Sequence, residues 1–375
     1  MHIINSVRDV MNEYGFNSES QVLLAASGGM DSMCLLDILL GLGYKPSVAH
    51  INYHLRGAES NADEALLRRF CAREMLDFHC LHHSLKTEQD KGSIQHEARK
   101  VRYRFFEDCA KKNKYPVILT AHHADDRIET ALFNFVRGSG LSGMASIKEK
   151  RDQYLRPLIR VFREEIAEYA DRYLVPFRSD QSNFNTEGYS RNFIRHEVLP
   201  LFGKVFPNYQ MRMSRSIHNL HADNSLLQSL LNQQRQQILN QREEYISIPY
   251  SQLEQFSDPA FLLYHLLRQE GFHGNDILQI WEKRDSPGRF IETRDYRLYS
   301  DRNEYLLFKK SSLIKPDMKV MTNFPTELQF GKYHIRASVH PPEKGKKTKR
   351  HGSVMVTINA DKMRKPLLLR PWKNG

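Results

Sequence analysis

The fold is decided by residues 22–40, which read VLLAASGGMDSMCLLDILL. The apolar run 22–26 predicts a buried strand, and the apolar residues from 33 to 40 predict a helix. The two glycines between them allow a backbone with positive φ and the close approach of a ligand. Because backbone N–H groups gather where such a helix begins, this loop is a candidate phosphate-binding site.

The side chains of the loop suit a polyphosphate that carries a metal ion. Ser27 and Ser32 offer hydroxyl groups, and Asp31 offers a carboxylate of the kind that binds Mg²⁺. No lysine follows the glycines, so the loop is not a Walker sequence. A lone Ser-Gly-Gly is usually an exposed turn, whereas the full Ser-Gly-Gly-x-Asp-Ser string between a strand and a helix favours phosphate binding. The candidate nucleotide-binding residues are Ser27, Gly28, Gly29, Met30, Asp31 and Ser32.

Composition narrows the class of protein. The 375 residues are enough for about two or three domains, and 40% of them are hydrophobic. No apolar stretch approaches the roughly 20 residues that cross a bilayer. Residues 1–6 lack the basic-then-apolar order of a signal peptide. We therefore expect a cytoplasmic protein with no membrane partner.

The chain is basic, with a formal net charge of +11. This charge favours a polyanionic partner, of which nucleic acid is the commonest. The four cysteines include no Cys-x-x-Cys pair, the spacing typical of zinc, iron–sulfur or dithiol sites. We expect buried free thiols.

Strands and helices alternate after the loop. This order predicts an α/β fold built on a doubly wound parallel sheet, with ligands at the carboxyl ends of its strands. The predicted strands span residues 22–26, 47–52, 78–82 and 116–121, and the predicted helices span 61–74, 93–112 and 125–136.

Two polar clusters follow the second and third predicted strands. Residues 50–57 read HINYHLRG, which by themselves fit a polar loop as well as a site. Residues 95–103 contain Arg99 and Arg102, which share one face of a helix because they are three residues apart. Such a pair is usually a solvated face, so neither cluster identifies a site alone.

A third polar cluster, residues 121–130, stands at the junction of the fourth strand and its helix. It contains His122, His123, Asp125 and Asp126. These side chains are typical of a metal site, and they equally suit a triphosphate with Mg²⁺. We favour the triphosphate because the phosphate loop needs partners on the facing side.

The phosphate loop resembles that of the N-type ATP pyrophosphatases, which split ATP between the α- and β-phosphates and leave AMP on a substrate oxygen. With the three clusters, the chain resembles the tRNA(Ile)-lysidine synthetase family within that group. The resemblance covers residues from about 20 to 200. It departs from the family at Tyr53, where the family has histidine, with His54 next to it. Further matches are residues 156–159 (RPLI), 180–183 (DQSN) and 191–200 (RNFIRHEVLP).

The resemblance implies a lysine ligase that acts on tRNA. In this family, ATP adenylates the C2 oxygen of the wobble cytidine of tRNA(Ile) with a CAU anticodon. Lysine then replaces that oxygen, forming lysidine and releasing AMP after pyrophosphate. The implied substrates are ATP with Mg²⁺, this tRNA and free L-lysine. The residues do not reveal the lysine pocket, and a homodimer is left open.

The resemblance also implies roles for the matching residues. The serines and glycines of the loop would hold the β- and γ-phosphates. Asp31 and Asp126, with Asp125, would hold Mg²⁺. Arg191 and Arg195 would come from a mobile segment after the sheet and complete the site when tRNA docks.

The α-phosphate would be faced by a histidine and an arginine. The implied candidates are His122 or His123, paired with Arg99 or Arg102. We expect positive charge here because negative charge develops as the α-phosphate is attacked.

Two other functions stay open from the residues. A tRNA thiolase would activate a base through the same adenylate and then deliver sulfur, but the scattered cysteines argue against it. A non-catalytic, nucleotide-binding tRNA adaptor would have little need of the candidate Mg²⁺ ligands.

The remainder of the chain predicts three domains. Residues 1–205 form the catalytic domain, 206–312 a helical or α+β domain that contacts tRNA, and 313–375 a small β-rich domain with strands at 327–330, 333–339 and 354–358. The basic run 343–351 fits a flexible hairpin loop or a contact with the tRNA backbone. The family's last module runs on past the position of Gly375, so we expect the third domain to be shortened.

Overall fold

The computed structural model describes residues 2–54, 58–84, 91–145, 147–178, 190–312, 319–321, 325–330, 333–339 and 367–369. The chain divides into two compact units, Met1–Leu227 and Gln228–Gly375. The domain boundaries expected near residues 205 and 312 stay predictions. Within the described ranges, no helix has the length and apolar content needed to cross a membrane.

The first unit alternates helices and strands as expected. In chain order its elements are α1 (His2–Glu13), β1 (Leu23–Ala25), α2 (Met30–Gly41), β2 (Ser47–Asn52), α3 (Ala58–Arg73), β3 (Phe78–His82), α4 (Lys91–Asn113), β4 (Ile118–Thr120), α5 (Ala124–Val136), α6 (Leu141–Met144), β5 (Lys150–Arg151), β6 (Tyr154–Leu155) and α7 (Arg163–Tyr173). After residues 179–189 come α8 (Ser190–Phe193), a π-helical turn (Ile194–Val198), α9 (Leu199–Val205) and α10 (Tyr209–Ile238).

The sheet of this unit confirms the predicted doubly wound parallel architecture. Its strand order is β3-β2-β1-β4-β6-β5, and every neighbouring pair is parallel except the antiparallel β5–β6 pair. Leu24 of β1 pairs with Val48 of β2 on one side and with Leu119 of β4 on the other. Strands β5 and β6 were not predicted, because two residues are too few to show a periodic pattern.

Both faces of the sheet are covered, as a parallel sheet requires. Leu24 packs on one face with Met33 and Leu36 of α2, whereas its neighbour Leu23 packs on the other face with Phe106 of α4. Side chains alternate along a strand, so one strand contributes to both cores. The sheet thus holds the carboxyl end of β1 rigidly between helices.

The second unit contains an antiparallel sheet with helices. Its sheet order is β7-β8-β11-β10-β9, and Leu298, Tyr305 and Leu307 are buried in the core that it forms with the helices. The elements are β7 (Asn240–Gln241), β8 (Ile246–Pro249), α11 (Tyr250–Leu253), α12 (Pro259–Leu267), α13 (Gly274–Glu282), β9 (Phe290–Glu292), β10 (Tyr296–Ser300) and β11 (Glu304–Lys309).

Two short antiparallel ladders follow in the C-terminal segment. They pair β12 (Lys319–Met321) with β15 (Leu367–Leu369), and β13 (Thr326–Phe330) with β14 (Tyr333–Ala337). The predicted strand 354–358 and the basic run 343–351 lie outside the described residues.

Candidate active site

The predicted phosphate loop joins the carboxyl end of β1 to the start of α2. Gly28 has φ +86°, in the left-handed region that favours glycine. A Cβ at Gly28 would also lie 3.4 Å from the backbone oxygen of Asp63 on α3. Gly29 is the N-cap of α2 and has no side chain to occupy the helix end. The first N–H groups of α2 have no intrahelical partner, so they are available to bind an anion.

The two serines of the loop brace its backbone. The Ser32 hydroxyl donates to the Gly29 carbonyl at 2.9 Å, and the Ser27 amide donates to the Ser32 hydroxyl at 3.3 Å. The Gly29 amide donates to the Ser27 hydroxyl at 3.3 Å. Ser32 is buried, whereas Ser27 is exposed. The geometry therefore favours Ser27 as the hydroxyl open to a ligand and Ser32 as a positioning residue.

The carboxyl end of β4 brings its polar cluster to this loop. His123 is the N-cap of α5 and is only 2% exposed. Its Nε2 atom lies 3.9 Å from Asp31 Oδ2 and 3.6 Å from Asp126 Oδ2. Asp126 also accepts a hydrogen bond from the His123 amide at 3.0 Å. Two carboxylates from different elements thus meet at one imidazole nitrogen.

Asp125 has a different environment from Asp126. Its two carboxylate oxygens accept hydrogen bonds from the Arg163 amide at 2.8 Å and from the Gln210 side chain at 3.1 Å. Its Oδ2 atom also lies 3.5 Å from His123 Nδ1. These contacts hold the pKa of Asp125 below its ordinary value despite burial. Asp125 thus ties α5 to the start of α7 and to α10, and its predicted role as a Mg²⁺ ligand stays untested.

Arg195 enters the cluster from the π-helical turn after α8. It contacts Glu129 through two hydrogen bonds, Nε to Oε1 at 2.6 Å and Nη2 to Oε2 at 2.9 Å. The same Nη2 lies 3.3 Å from Asp126 Oδ1. The Glu129 side chain is only 5% exposed. Sequence reasoning missed Glu129, although its position one helical turn after Asp125 and Asp126 placed it on the same side of α5.

The two histidines of the cluster have opposite electrostatics. Burial lowers the pKa of His122 to about 4, assisted by the nearby positive charges of Arg156 and Arg99. Burial also opposes charge on His123, but the carboxylates of Asp125, Asp126 and Asp31 outweigh it and raise the pKa of His123. Burial raises the pKa of Asp31, although His123 opposes this shift. At neutral pH, His122 is therefore uncharged, and His123 carries more positive charge than a free imidazole.

We expect a pH titration followed by NMR to separate these two imidazoles. The carbon-bound ring protons of His123 should titrate above pH 6.5, whereas those of His122 should not move until the pH approaches about 4. Linkage then makes the stabilising contribution of His123 complete below about pH 6.5 and lost as the pH rises through its raised pKa. The stability contributed by neutral His122 depends on pH in the opposite direction: it is complete above about pH 6.5 and is lost as the pH falls towards 4.

The variants His122→Gln and His123→Gln would assign the two signals. Two titrations that both centre near pH 6.5 would contradict the opposite environments seen here.

The residues of the cluster fit a bound Mg²⁺ ion. Asp31 Oδ1 is buried, and the described residues offer it no hydrogen-bond donor. Asp31 and Asp126 supply carboxylate oxygens, which are the ligands that Mg²⁺ prefers, usually with water and substrate phosphates completing the shell. The orphaned oxygen of Asp31 is the observation that favours a cation here.

The other predicted arginines lie apart from this cluster. Arg99 and Arg102 are exposed on α4, where Arg99 donates to the Tyr103 hydroxyl at 3.1 Å and Arg102 lies 5.9 Å from the centre of the Tyr53 ring. The positive charge of Arg99 helps to lower the pKa of His122. Arg191 is exposed and lies 5.7 Å from the centre of the Phe133 ring. Arg191 and Arg195 therefore have different surroundings.

Two buried basic side chains were missed as site candidates. Arg156 is 6% exposed and donates to the Lys148 carbonyl at 2.8 Å, and its Nε atom has no acceptor within the described part of the chain. His50 is 6% exposed, and its Nδ1 lies 3.0 Å from the Ala26 carbonyl just before the phosphate loop. Both residues stand in the quoted motifs, but sequence alone did not show that they point inward.

A cavity of about 400 Å³ opens beside the carboxylate cluster. Acidic and basic side chains line it, and Met30 of the first turn of α2 forms part of its wall. The lining residues are Met30, Asp125, Glu129, Arg163, Glu164, Ala167, Arg195, Leu199, Tyr209 and Gln210.

Comparison with known proteins matches both units of the chain. Residues 1–202 match the family model described as a PP-loop domain, and residues 241–310 match the one described as a TilS substrate binding domain.

Similar proteins named tRNA(Ile)-lysidine synthase cover most of the chain. That of Parabacteroides distasonis is 33% identical and aligns with 100% of this chain and 84% of its own. That of Bacteroides thetaiotaomicron is 30% identical over 98% of this chain and 83% of its own. That of Porphyromonas gingivalis is 32% identical over 85% of this chain and 69% of its own.

Proposed function

Because this chain belongs to the tRNA(Ile)-lysidine synthase family, we propose that it ligates free L-lysine to C2 of the wobble cytidine of tRNA(Ile) with a CAU anticodon. The reaction consumes ATP and yields lysidine, AMP and pyrophosphate. It takes place in the cytoplasm, where tRNA and ATP are both present. The observation that carries the proposal is the meeting of Asp31, from the phosphate loop, and Asp126, from the third cluster, at His123.

The proposed reaction has two steps, because a pyrimidine oxygen is a poor leaving group. The C2 oxygen of cytidine attacks the α-phosphorus of ATP, an O–P bond forms, and pyrophosphate leaves. The neutral ε-amine of lysine then attacks C2, a C–N bond forms, and the oxygen departs as part of AMP. The protein's part in both steps is to position the substrates and to stabilise developing negative charge.

The phosphate loop would hold the pyrophosphate that leaves. The N–H groups at the start of α2 and the exposed Ser27 hydroxyl would donate hydrogen bonds to this anion. Gly28 and Gly29 leave room for the backbone to approach the phosphates. This division of roles agrees with a backbone that Ser32 braces from inside.

Asp31 and Asp126 would hold Mg²⁺ at the phosphates. When bound, that ion supplies charge neutralisation for the outgoing diphosphate. Both carboxylates raise the pKa of His123, and the protonated imidazole would hold the two carboxylates in position. Arg195 sets the orientation of Asp126 and keeps Glu129 paired.

Positive charge near the α-phosphate would come from the arginines that surround His122. His122 is neutral there, so its ring N–H is suited to donate a hydrogen bond rather than to carry charge. Arg99 and the buried Arg156 both act electrostatically on His122. Of the two exposed arginines, we assign Arg99 and not Arg102 to the α-phosphate, because the charge of Arg99 lowers the pKa of His122.

The cavity beside the cluster suits an amino acid with charges at both ends. Arg163 offers a positive group for a carboxylate, while Asp125 and Glu164 offer negative groups for amines. Its volume of about 400 Å³ falls within the range typical of small-molecule pockets. We place free L-lysine in this cavity.

Incubation with ATP, Mg²⁺, the CAU-anticodon isoleucine tRNA and radiolabelled lysine tests the proposal. We expect label in the tRNA and pyrophosphate in equal amount. The same tRNA with its wobble cytidine changed to uridine is the control and should stay unlabelled. Pyrophosphate release that requires a sulfur donor, with no lysine incorporated, would instead support a thiolase.

The oligomeric state is tested separately: light scattering on the same sample shows whether the enzyme is a homodimer.

A further inference from the structure

A cluster of metal-binding side chains lies outside the proposed catalytic site. Glu64 of α3 and Cys80 and His82 of β3 each present one ligand atom, and these three atoms lie within 4.8 Å of one another. Cys80 is partly exposed, which corrects the expectation that all four cysteines are buried. The cluster combines a thiol, an imidazole and a carboxylate, which differs from the oxygen-only chemistry of Asp31 and Asp126.

Strand geometry explains why the three side chains converge. Cys80 and His82 are two residues apart on β3, so both point to the same face of the sheet. Glu64 reaches that face from α3. His82 Nε2 lies 3.9 Å from Cys80 Sγ and 3.5 Å from Glu64 Oε1. Tetrahedral zinc, with Zn–N near 2.0 Å and Zn–S near 2.3 Å, places such ligand pairs roughly 3.3–3.6 Å apart.

A second histidine orients the first. His54, which follows β2, has its Nε2 atom 3.1 Å from His82 Nδ1, and the two rings stack with centroids 5.2 Å apart. If His82 donates its Nδ1–H to His54, the lone pair of His82 Nε2 faces Cys80 and Glu64. Ligating histidines in proteins commonly use their second nitrogen in this way. The buried Asn52 side chain likewise holds Glu64 Oε2 at 3.0 Å.

The cluster is accessible to an ion from solvent. The His82 side chain is 54% exposed. Among the described residues, Arg68 competes with a cation for Glu64. Its guanidinium pairs with Glu64 Oε1 at 2.8 Å, and its side chain is 59% exposed, so it can move into solvent when a cation binds. Water can fill the fourth position.

We propose that Glu64, Cys80 and His82 form a site for a borderline divalent transition metal, Zn²⁺ above all, with His54 as its positioning residue. Thiolate and imidazole ligands select Zn²⁺ over Mg²⁺, so the two cations would occupy separate sites. A metal here would join α3, the end of β3 and the segment after β2, which the protein otherwise holds together with hydrogen bonds. The site goes beyond lysine ligation and does not depend on it.

Titration of the full chain with Co²⁺, used as a spectroscopic substitute for Zn²⁺, tests the proposal. We expect one equivalent of Co²⁺ to bind and give a thiolate-to-cobalt charge-transfer band with the visible bands of tetrahedral cobalt. Added Zn²⁺ should remove these bands and raise the melting temperature, whereas excess Mg²⁺ should do neither.

Four variants separate ligands from neighbours. Cys80→Ser should remove the charge-transfer band, and His82→Ala should prevent tight binding. His54→Ala should weaken binding by about 10–100-fold, the range for an orienting residue. His79→Ala is the matched control, because His79 points to the opposite face of β3 and contacts Tyr115; its titration should match that of the unchanged protein.

Two results would overturn the proposal. One is the absence of Co²⁺ binding by a folded, reduced protein. The other is a charge-transfer band that survives in Cys80→Ser, since the thiolate would then come from another cysteine. Both outcomes are independent of lysine transfer, so neither bears on the proposed ligase activity.

Discussion

Asp31→Asn should lower the rate of pyrophosphate release by about 10²–10³-fold while tRNA binding stays within a few-fold of its original value. The substitution keeps the shape of the side chain and removes the charge of a carboxylate whose buried Oδ1 receives no hydrogen bond from the residues that the structure describes. It also removes one of the carboxylates that raise the pKa of His123. Stopped-flow measurement of pyrophosphate, together with a filter-binding assay for tRNA, checks both halves of the expectation.

Asp9→Asn is the matched control for this prediction. Asp9 is exposed on α1, so the same change of charge there should leave both measurements unaltered. Equal losses of pyrophosphate release and tRNA binding in Asp31→Asn would mean that the residue maintains the fold of the loop and does not act on the phosphates.

Arg195→Met should destabilise the first unit by about 3 kcal/mol and abolish detectable ligation. The substitution leaves Glu129, which is 5% exposed, without the two hydrogen bonds that its carboxylate receives. It also frees Asp126 Oδ1 from its contact with the guanidinium. Denaturant unfolding measures the loss of stability, and the lysine-incorporation assay measures the loss of activity.

Two further variants distinguish stability from chemistry at this position. Arg191→Met removes an exposed arginine whose described contact is the Phe133 ring, so its unfolding free energy should change by less than about 1 kcal/mol. The double variant Glu129→Met/Arg195→Met should recover most of the lost stability, because the buried Glu129 charge is removed together with its partner, but it should not recover activity. Recovery of activity in the double variant would show that Arg195 has no role beyond neutralising Glu129.

Much of the first unit could be predicted from local patterns. The strand at residues 47–52 and that at 78–82 agree with β2 and β3. The glycine loop between β1 and α2 was identified from the Ser-Gly-Gly-x-Asp-Ser string of residues 27–32 and the apolar runs on either side of it. The prediction failed for the short β5 and β6 and for several strands of the second unit, among them β8 and β10. Those strands gain their stability from pairing with distant neighbours, which leaves little periodicity in the sequence.

The motifs of the site could be predicted from the sequence. Which of their residues contact one another could not. The sequence added Asp125 to Asp31 and Asp126 as a further Mg²⁺ candidate. The fold gives the Asp125 carboxylate two hydrogen bonds, whereas Asp31 Oδ1 receives none from the described residues. Sequence likewise paired Arg191 with Arg195. The π-helical turn that carries Arg195 brings it to Glu129, while Arg191, just before it on α8, stays exposed.

The sequence by itself determined the phosphate loop, the parallel α/β architecture and the family, because these follow from short local motifs and from the order of those motifs along the chain. Only the tertiary structure decided which carboxylates share His123, which histidine has a raised pKa and where a cavity opens. Those properties depend on strand order and burial, which bring residues from distant segments within 4 Å of one another and change the free energy of their charged forms.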